Sequence, residues 1–597
     1  MEPAMKRGVP HYSDGAAINA AIPTIGHLLP VLDMNRPAER IAIIGAGATG
    51  TYCLHSLITE GIAEEVTVFE SSGLTGPGLA YSPELNDMHA LSNIAGFEIP
   101  PLLETVNAWA SRQPRQRLEQ WGIADRAGDD RAFFPRAVLG AWLADQFLQL
   151  SADGSTTVIV HRCAEVVDMI AMPNSCRVEW RGSDGVIVVD EFDRVIVASG
   201  YGAIGTEDNR AERSTGKSAS LAASDGTSER FGVLGSSLSG IDAVVAIAMA
   251  RGSFERGAGA LRYIPANPWS AMLMSRNGIL PEADFWFPHP LPDLEGFTPE
   301  SASACLTGAE GDLDRLFAQF VAVLIREAPD WSAEIGLGHA TADDFAERYF
   351  ARRRSSDAWA YARNNLAAVR DWSESHDTPS WRIVILKAHE IFASVIGSLP
   401  PQDLARLHRG LKRVFTDNYA AVPHLSIERV LALHDAGVLD VIALGNEYEI
   451  RPIRNAWLVR SPARSERFDE LIDARGPQAA ALTRFPFPTL RLQLCASALE
   501  ESQDWGNGLN PAADLTVSDQ DPSLRHIHLC ALPFLLRNRP FVQGLVECAA
   551  MARCVSQAIR DSSLSEGADY SSPEHLIELI DRPSVILATG EVLPLAG

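Results

Sequence analysis

No window of this 597-residue sequence approaches the run of about 20 apolar residues that a membrane-crossing helix needs. The amino-terminal stretch carries Lys6 and Arg7, but Asp14, Asn19, Pro23 and His27 break the apolar segment a secretory signal would require. The eight cysteines contain no C-x-x-C and no metal-like spacing. That pattern points to a reducing compartment and leaves out the usual dithiol of a disulfide reductase. Basic residues are also few, 51 against 76 acidic ones, for a net charge of −25. A surface that tracks phosphates needs clustered Lys and Arg. The one dense basic run, Arg352–Arg354, stands among acidic and apolar residues and reads as a solvated helix face. The expectation is a cytoplasmic protein with neither nucleic acid nor membrane as a partner, its oligomeric state left open.

What is present is the balance of a globular protein, 46% apolar and 21% charged, long enough for two or three domains. Two phrases then stand out, "IAIIGAGATG" from Ile41 and "FGVLGSSLSG" from Phe231. The first sits in a strand, helix, strand order: "RIAIIGAG", an apolar-periodic "ATGTYCLHSLITEG" stopping at Gly61, and "EEVTVFE" ending in Glu70. Gly45, Gly47 and Gly50 fill the G-x-G-x-x-G positions, with Ala46 and Thr49 between them. Such glycines allow the tight turn, the approach of a pyrophosphate and close helix packing. Glu70 is placed to accept hydrogen bonds from an adenosine ribose, which fits FAD or NAD and disfavours a 2′-phosphate.

In the second phrase Gly235 and Gly240 match Gly45 and Gly50, Ser237 replaces Gly47, and Ser236 lies between. The strand "SAMLMSRNG" ends in Ser275-Arg276 instead of an acid, a pair suited to a 2′-phosphate and so to NADP(H). A hydrolase elbow needs G-x-S-x-G, and here the closing glycine comes one residue late. "FDRVIVASG" (192–200) and "FDELIDARG" (468–476) echo each other in the same order as the glycine phrases, so the chain reads as two nucleotide-binding halves.

With these motifs the chain resembles flavoproteins that carry two dinucleotide-binding domains, and more narrowly the FAD/NAD(P)-binding family that includes the nitrosuccinate-forming L-aspartate N-monooxygenases. "GLTGPGLAYSPELNDMHALSNIAG", "VIVASGYG" and "ALPFLLRNRPFVQGLVECAAMA" carry the resemblance alongside the two glycine phrases. It implies that Gly45, Gly47, Gly50 and Glu70 hold the ADP half of FAD, with Asn93 and Gly544 at the flavin end. It implies that Gly235, Ser236, Ser237 and Gly240 hold the NADPH pyrophosphate and Arg276 its 2′-phosphate. The implied reaction is N-oxidation of a small amine by O₂ through a C4a-hydroperoxyflavin, with an amino acid such as aspartate as leading candidate. In "KRVFTDNYAAVP", Asn418 and Tyr419 depart from the His-Arg-rich stretch of relatives, which leaves the substrate open. Another oxidoreductase or oxidase, or a non-catalytic dinucleotide-binding redox sensor, remain the alternatives.

The expected fold class is α/β: two Rossmann-like domains, for FAD and NADPH, with a mostly helical insertion. An arm covers 1–37, the FAD domain 38–205 and 481–597, the NADPH domain 206–300 and 426–480, and the insertion 301–425. The insertion is expected to wall the substrate site and offers Arg352, Arg353, Arg354, Arg363 and Lys412 as cations. Residues 498–523 read as a surface loop. Phe285, Trp286 and Phe287 read chiefly as core, with a flavin wall as the alternative, and Cys53 reads as packing. His526 and His528 read as structural residues on one strand face, with no further ligand spaced to complete a metal site.

Overall fold

The computed structural model describes residues 39–200, 229–257, 259–476, 479–500, 511–517, 522–541, 544–565, 584–586 and 592–594. The arm expected at 1–37 lies outside them. The first half opens with β1 (Arg40–Ile44), β2 (Glu65–Glu70) and β3 (Thr157–Arg162). An antiparallel meander follows, β4 (Glu165–Ala171), β5 (Cys176–Arg181) and β6 (Ile187–Phe192), and leads into β7 (Arg194–Val197).

The second half begins with β8 (Arg230–Leu234), a hairpin of β9 (Gly252–Arg256) and β10 (Leu261–Pro265), and β11 (Ser270–Ser275). After a long helical stretch come β12 (Leu439–Ala443), the meander β13 (Glu449–Ile453), β14 (Ala456–Arg460) and β15 (Ser465–Phe468), and then β16 (Glu470–Asp473). Strand β17 (Ile527–Leu529) returns to the first sheet. The sheets run β17-β7-β1-β2-β3 and β16-β8-β11-β12, with every pair parallel. Strands buried on both faces explain the near-continuous apolar runs of "IAII", "RVIV" and "FGVL". The hairpin β9–β10 accounts for the long gap between Gly235 and Arg276.

The echoed phrases do the same work in each half. Asp193 accepts the Arg40 backbone N–H at 2.7 Å, and Asp469 accepts that of Arg230 at 2.9 Å. Each carboxylate thus caps the free edge of a central strand's first residue. The preceding Phe192 and Phe468 lie under the Arg40 and Arg230 guanidiniums, 5.1 and 5.3 Å from ring centre to Cζ.

Helices fill the stretch from Pro299–Ala304 to Leu411–Tyr419. Asp312–Glu327 turns Leu313, Leu316, Phe317, Phe320 and Leu324 into a separate core with Phe345, Phe392 and Phe415. "DLARLHRGLKRVF" is two helices, Pro401–Arg409 and Leu411–Tyr419, divided at Gly410. Arg353 corrects the solvated reading of the basic run. It is 5% exposed and pairs with Asp417, while its Nη2 donates to the Leu280 carbonyl at 2.6 Å. Arg352 and Arg354 are exposed, as expected. The helix Pro488–Glu500 runs three residues into the stretch read as a loop.

Several contacts tie the halves together, among them Arg131 Nη2 donating to the Phe287 carbonyl at 2.8 Å. Arg136 pairs with Asp242 at 2.9 Å, and Arg429 Nη1 donates to the His89 carbonyl at 2.8 Å. The late helix Leu545–Ser565 packs on Ala48–Thr59, where the Ser56 and Ser556 hydroxyls meet at 2.8 Å.

Candidate functional site

The two glycine turns have one geometry. Gly45 and Gly235 sit at φ +105 and +112, and a Cβ on either would come within 2.5 Å of a carbonyl oxygen, that of Ala198 or Ala474. A Cβ on Gly50 or Gly240 would stand 2.0 or 2.3 Å from the Gly45 or Gly235 carbonyl oxygen. Only glycine fits these four places. Behind each turn starts a helix, Ala48–Thr59 or Leu238–Arg251, with no acidic residue in its first turn. The free N–H groups and positive dipole end of each are open to an anion.

Both turns reach one cleft of about 2070 Å³, roughly twice the upper size of an ordinary small-molecule pocket of about 1,000 Å³. From the first half it takes in Gly45, Gly47, Thr49, Glu70 and Asn93, and from the late return segment Gly544. Ala46 and Gly50 shape the turn from behind. Glu70 braces it: Oε2 accepts the Ala46 N–H at 2.9 Å, and Oε1 accepts the Ser72 N–H and hydroxyl at 2.7 and 2.8 Å. A carboxylate offers about four lone-pair sites, so one remains for a ribose hydroxyl.

The second turn contributes Ser237, Leu238 and Ser239 to the cleft, while Gly235, Ser236 and Gly240 form its support. Ser236 donates to the Ile279 carbonyl at 2.7 Å, and Ser275 accepts the Gly278 N–H at 3.1 Å. Arg276 is not part of the cleft wall; it is exposed beside Arg413 of the helical region. Burial and then the charge of Arg276 push the Arg413 pKa down, and Arg354 adds to the effect. Glu347 sits among these guanidiniums, pairing with Arg354 at 2.5 Å and Arg413 at 3.9 Å, and leaves a net positive patch at the end of β11. Among the insertion cations singled out from the sequence, Lys412 alone lines the cleft; Arg352 pairs with Glu334 and Arg363 with Asp435.

Comparison with known proteins agrees with this architecture. Residues 42–202 match the FAD-NAD(P)-binding family model, and residues 298–419 match the YdhS-like middle domain. The uncharacterized protein YdhS of Escherichia coli is 35% identical over 532 residues, spanning 87% of this chain and 97% of that protein. The chain belongs to the YdhS family. Its first half is therefore an FAD-NAD(P)-binding domain. Among solved structures it is similar to the ornithine hydroxylase of Pseudomonas aeruginosa, at 13% identity and a TM-score of 0.45 over 88% of this chain and 99% of that one. The cadaverine monooxygenase of Erwinia amylovora gives 11% and 0.47 over 90% and 100%. The bacillithiol disulfide reductase of Bacillus cereus gives 10% and 0.37 over 88% and 99%. Likenesses this remote bear on neither reaction nor substrate.

Glu98, Asp284 and His389 of this cleft went unnoticed in the sequence, whereas Asn418 stood out only as a departure from relatives. Glu98, from the turn Gly96–Glu98, and Asp284, just before Phe285, both line it. Each opens partly to the cleft while protein surrounds it on its other sides. Burial pushes Glu98 up to about 7, against the opposing pull of the Ala95 N–H and the Arg131 charge. Burial and then the neighbouring Glu98 carry Asp284 well above the usual carboxyl range, with Arg131 again opposing. Asn418, 2% exposed, also lines the cleft, and neither its Oδ1 nor its Nδ2 has a hydrogen-bond partner among the described residues. His389 stacks on Tyr419 at 4.4 Å, and burial lowers its pKa to about 4, so it is neutral. A motif scan passes over Glu98, Asp284 and His389, because they lie far apart in sequence and in no fixed spacing.

The aromatic cluster divides: Phe285 and Phe287 line the cleft, and Trp286 stacks on His376 at 4.7 Å. Only His528 lies in a strand, since His526 belongs to the preceding turn Leu524–His526. His526 meets the Pro173 carbonyl and His528 that of Asp514. The fold also gathers thiols that no sequence pattern joins. Cys53 lies buried against Cys530, and Cys548 lines the cleft with Sγ 3.2 Å from Thr49 Oγ1. Burial pushes Cys548 up to about 12, so it stays a thiol, unsuited to attack a disulfide.

Proposed function

We propose that this YdhS-family protein is an FAD-dependent, NADPH-using monooxygenase that N-oxidises a small amine with O₂, an amino acid such as aspartate being the first substrate to test. The observation that carries the reading is the pair of equivalent glycine turns opening into one cleft, one backed by Glu70 and the other by Ser275-Arg276. The residues fit the two groups. Gly45, Ala46, Gly47, Thr49, Gly50 and Glu70 would hold the FAD pyrophosphate and ribose, with Asn93 and Gly544 toward the flavin. Gly235, Ser236, Ser237 and Gly240 would hold the NADPH pyrophosphate, and Ser275 and Arg276, with Arg413 beside it, the 2′-phosphate.

Bound flavin, reduced by hydride from NADPH, supplies the activation of O₂. The protein's part is to orient the amine and keep water out. Phe285, Phe287 and Phe541 give the cleft apolar walls for that purpose. N-oxidation itself rests on the motif resemblance, and the absence of a C-x-x-C pair weighs against the dithiol route. The discriminating experiment is NADPH consumption by the flavin-loaded protein with amino acids and small amines, with mass detection of oxygenated products. Coupled consumption supports the reading. Peroxide alone supports an oxidase, and no consumption supports a redox sensor.

A further inference from the structure

The cleft wall between the two halves carries carboxyls from both of them. Glu98 comes from the first half and Asp284 from the second, and their charges act on each other. Asp284 is fixed by its backbone: its N–H donates to the Val422 carbonyl at 2.8 Å, and Val422 N–H donates to the Glu282 carbonyl at 2.9 Å. His424 Nε2 lies 2.7 Å from the Asp284 carbonyl on the other side. The segment so joined begins at the end of helix Leu411–Tyr419, where Asn418 presents an amide with no partner. A buried amide left unpaired is costly, so a polar partner is expected to meet it.

We propose that Glu98, Asp284 and the Asn418 amide form the recognition site for the ammonium group of a primary amine, and that the two carboxyls take its proton before N-oxidation. The proposal rests on the amine-oxidation reading and narrows it. A primary ammonium carries three N–H donors, and two carboxyls and one amide oxygen supply three acceptors. In the proton step one N–H bond breaks and one O–H bond forms on a carboxyl. The electron pair of the broken bond stays on nitrogen as the lone pair the reaction needs, and nothing is oxidised or reduced. A carboxylate pair in a low-dielectric wall binds its first proton tightly, which suits the ionised pair to take that proton from the ammonium.

The charges around the pair agree. Arg131 acts on both carboxyls, and its Nη2 is engaged by the Phe287 carbonyl at 2.8 Å. His389 is neutral, and Lys387 across the cleft is paired with Glu390 at 2.9 Å. Lys412 also lines the cleft, and burial lowers its pKa. A substrate bearing two carboxylates would meet this carboxyl pair with like charge, so the site favours a cationic amine over aspartate.

The test uses the flavin-loaded full-length protein and calorimetric titration with n-butylamine, n-butyrate and L-aspartate. Butylamine is expected to bind, and to bind more tightly as pH rises through about 7 and Glu98 ionises. Asp284→Asn and Glu98→Gln are each expected to weaken it at least tenfold, about the loss of one charge-assisted hydrogen bond. In Glu98→Gln the part of the pH trend near 7 should be lost, because burial still governs Asp284. Retained flavin absorbance and an unchanged melting profile show that the variants are folded. No butylamine binding at about 10 mM, tighter binding of butyrate or aspartate, or indifference to both substitutions overturns the proposal. Product analysis separates the two claims. Butylamine binding that depends on the carboxyls, without N-oxygenated product, keeps the ammonium site and ends the monooxygenase reading. Oxygenation of aspartate that survives both substitutions does the reverse.

Discussion

In the first half the open position of the turn is Gly47 and the second strand ends in Glu70; in the second half these places hold Ser237 and Ser275-Arg276. The turn backbone, the order of four strands, the aspartate cap and the arginine-on-phenylalanine contact are otherwise shared. On the proposed reading, the duplicated scaffold sets where a dinucleotide lies and a few side chains at its rim decide which one. Gly47 lets a ligand press against the backbone, where even a Cβ would come within 3.2 Å of Gly78 Cα. Ser237 narrows the second turn, and its strand offers a cation where the first offers an acid.

The strongest break is Gly50→Val against Gly240→Val. Each forces a side chain onto a carbonyl oxygen of its own turn, with an expected cost of about 3 kcal/mol or more. The first should give protein without flavin, and the second should give yellow protein that fails to bind NADPH. If both lose flavin alike, the halves are not separable sites. Gly47→Leu comes next. Its side chain fills the pyrophosphate's place, so gel-filtered protein should be colourless, and normal flavin content would move FAD elsewhere.

Arg276→Ala probes the rim rather than the scaffold. Loss of a charge-assisted phosphate contact should lower kcat/KM by about 1.5–3 kcal/mol with NADPH and leave NADH unaffected. An equal loss with both cofactors would place the 2′-phosphate elsewhere, and Arg413→Ala should repeat the NADPH effect if the two guanidiniums share it.

The smallest effect concerns pH. Because the folded protein holds Glu98 near 7 while an unfolded chain has it near 4.5, the folded state binds the extra proton between those values. This group's share of stability is thus present at low pH and lost as pH rises through about 7. The melting temperature of the ligand-free protein minus that of Glu98→Gln should fall across this window and level off above it. A flat difference would show that Glu98 titrates normally.

Most of the scaffold was legible because glycine turns and buried parallel strands obey local rules. "IAIIGAG" and "FGVLGSS" announced both sheets, and the Phe-Asp echoes proved to be matching strand caps. The cleft wall was not legible, for a physical reason. Glu98, Asp284 and Asn418 meet only through the packing of three separate segments, and their chemistry comes from burial, which no spacing encodes. Arg353 was misread for the same reason: the partners that take it inside, Asp417 and the Leu280 carbonyl, lie far along the chain.

The return of β17 and the helix Leu545–Ser565 to the first sheet also sets a timetable. Ser56 meets Ser556, 500 positions later. At a synthesis rate of about 5–20 residues per second, the first half waits roughly 25–100 s for the segment that closes it. During that interval β7 shows an unpaired apolar edge, while the second half and its helical region, encoded between, can already be complete. The first sheet is begun before the second half is made and closed only after it.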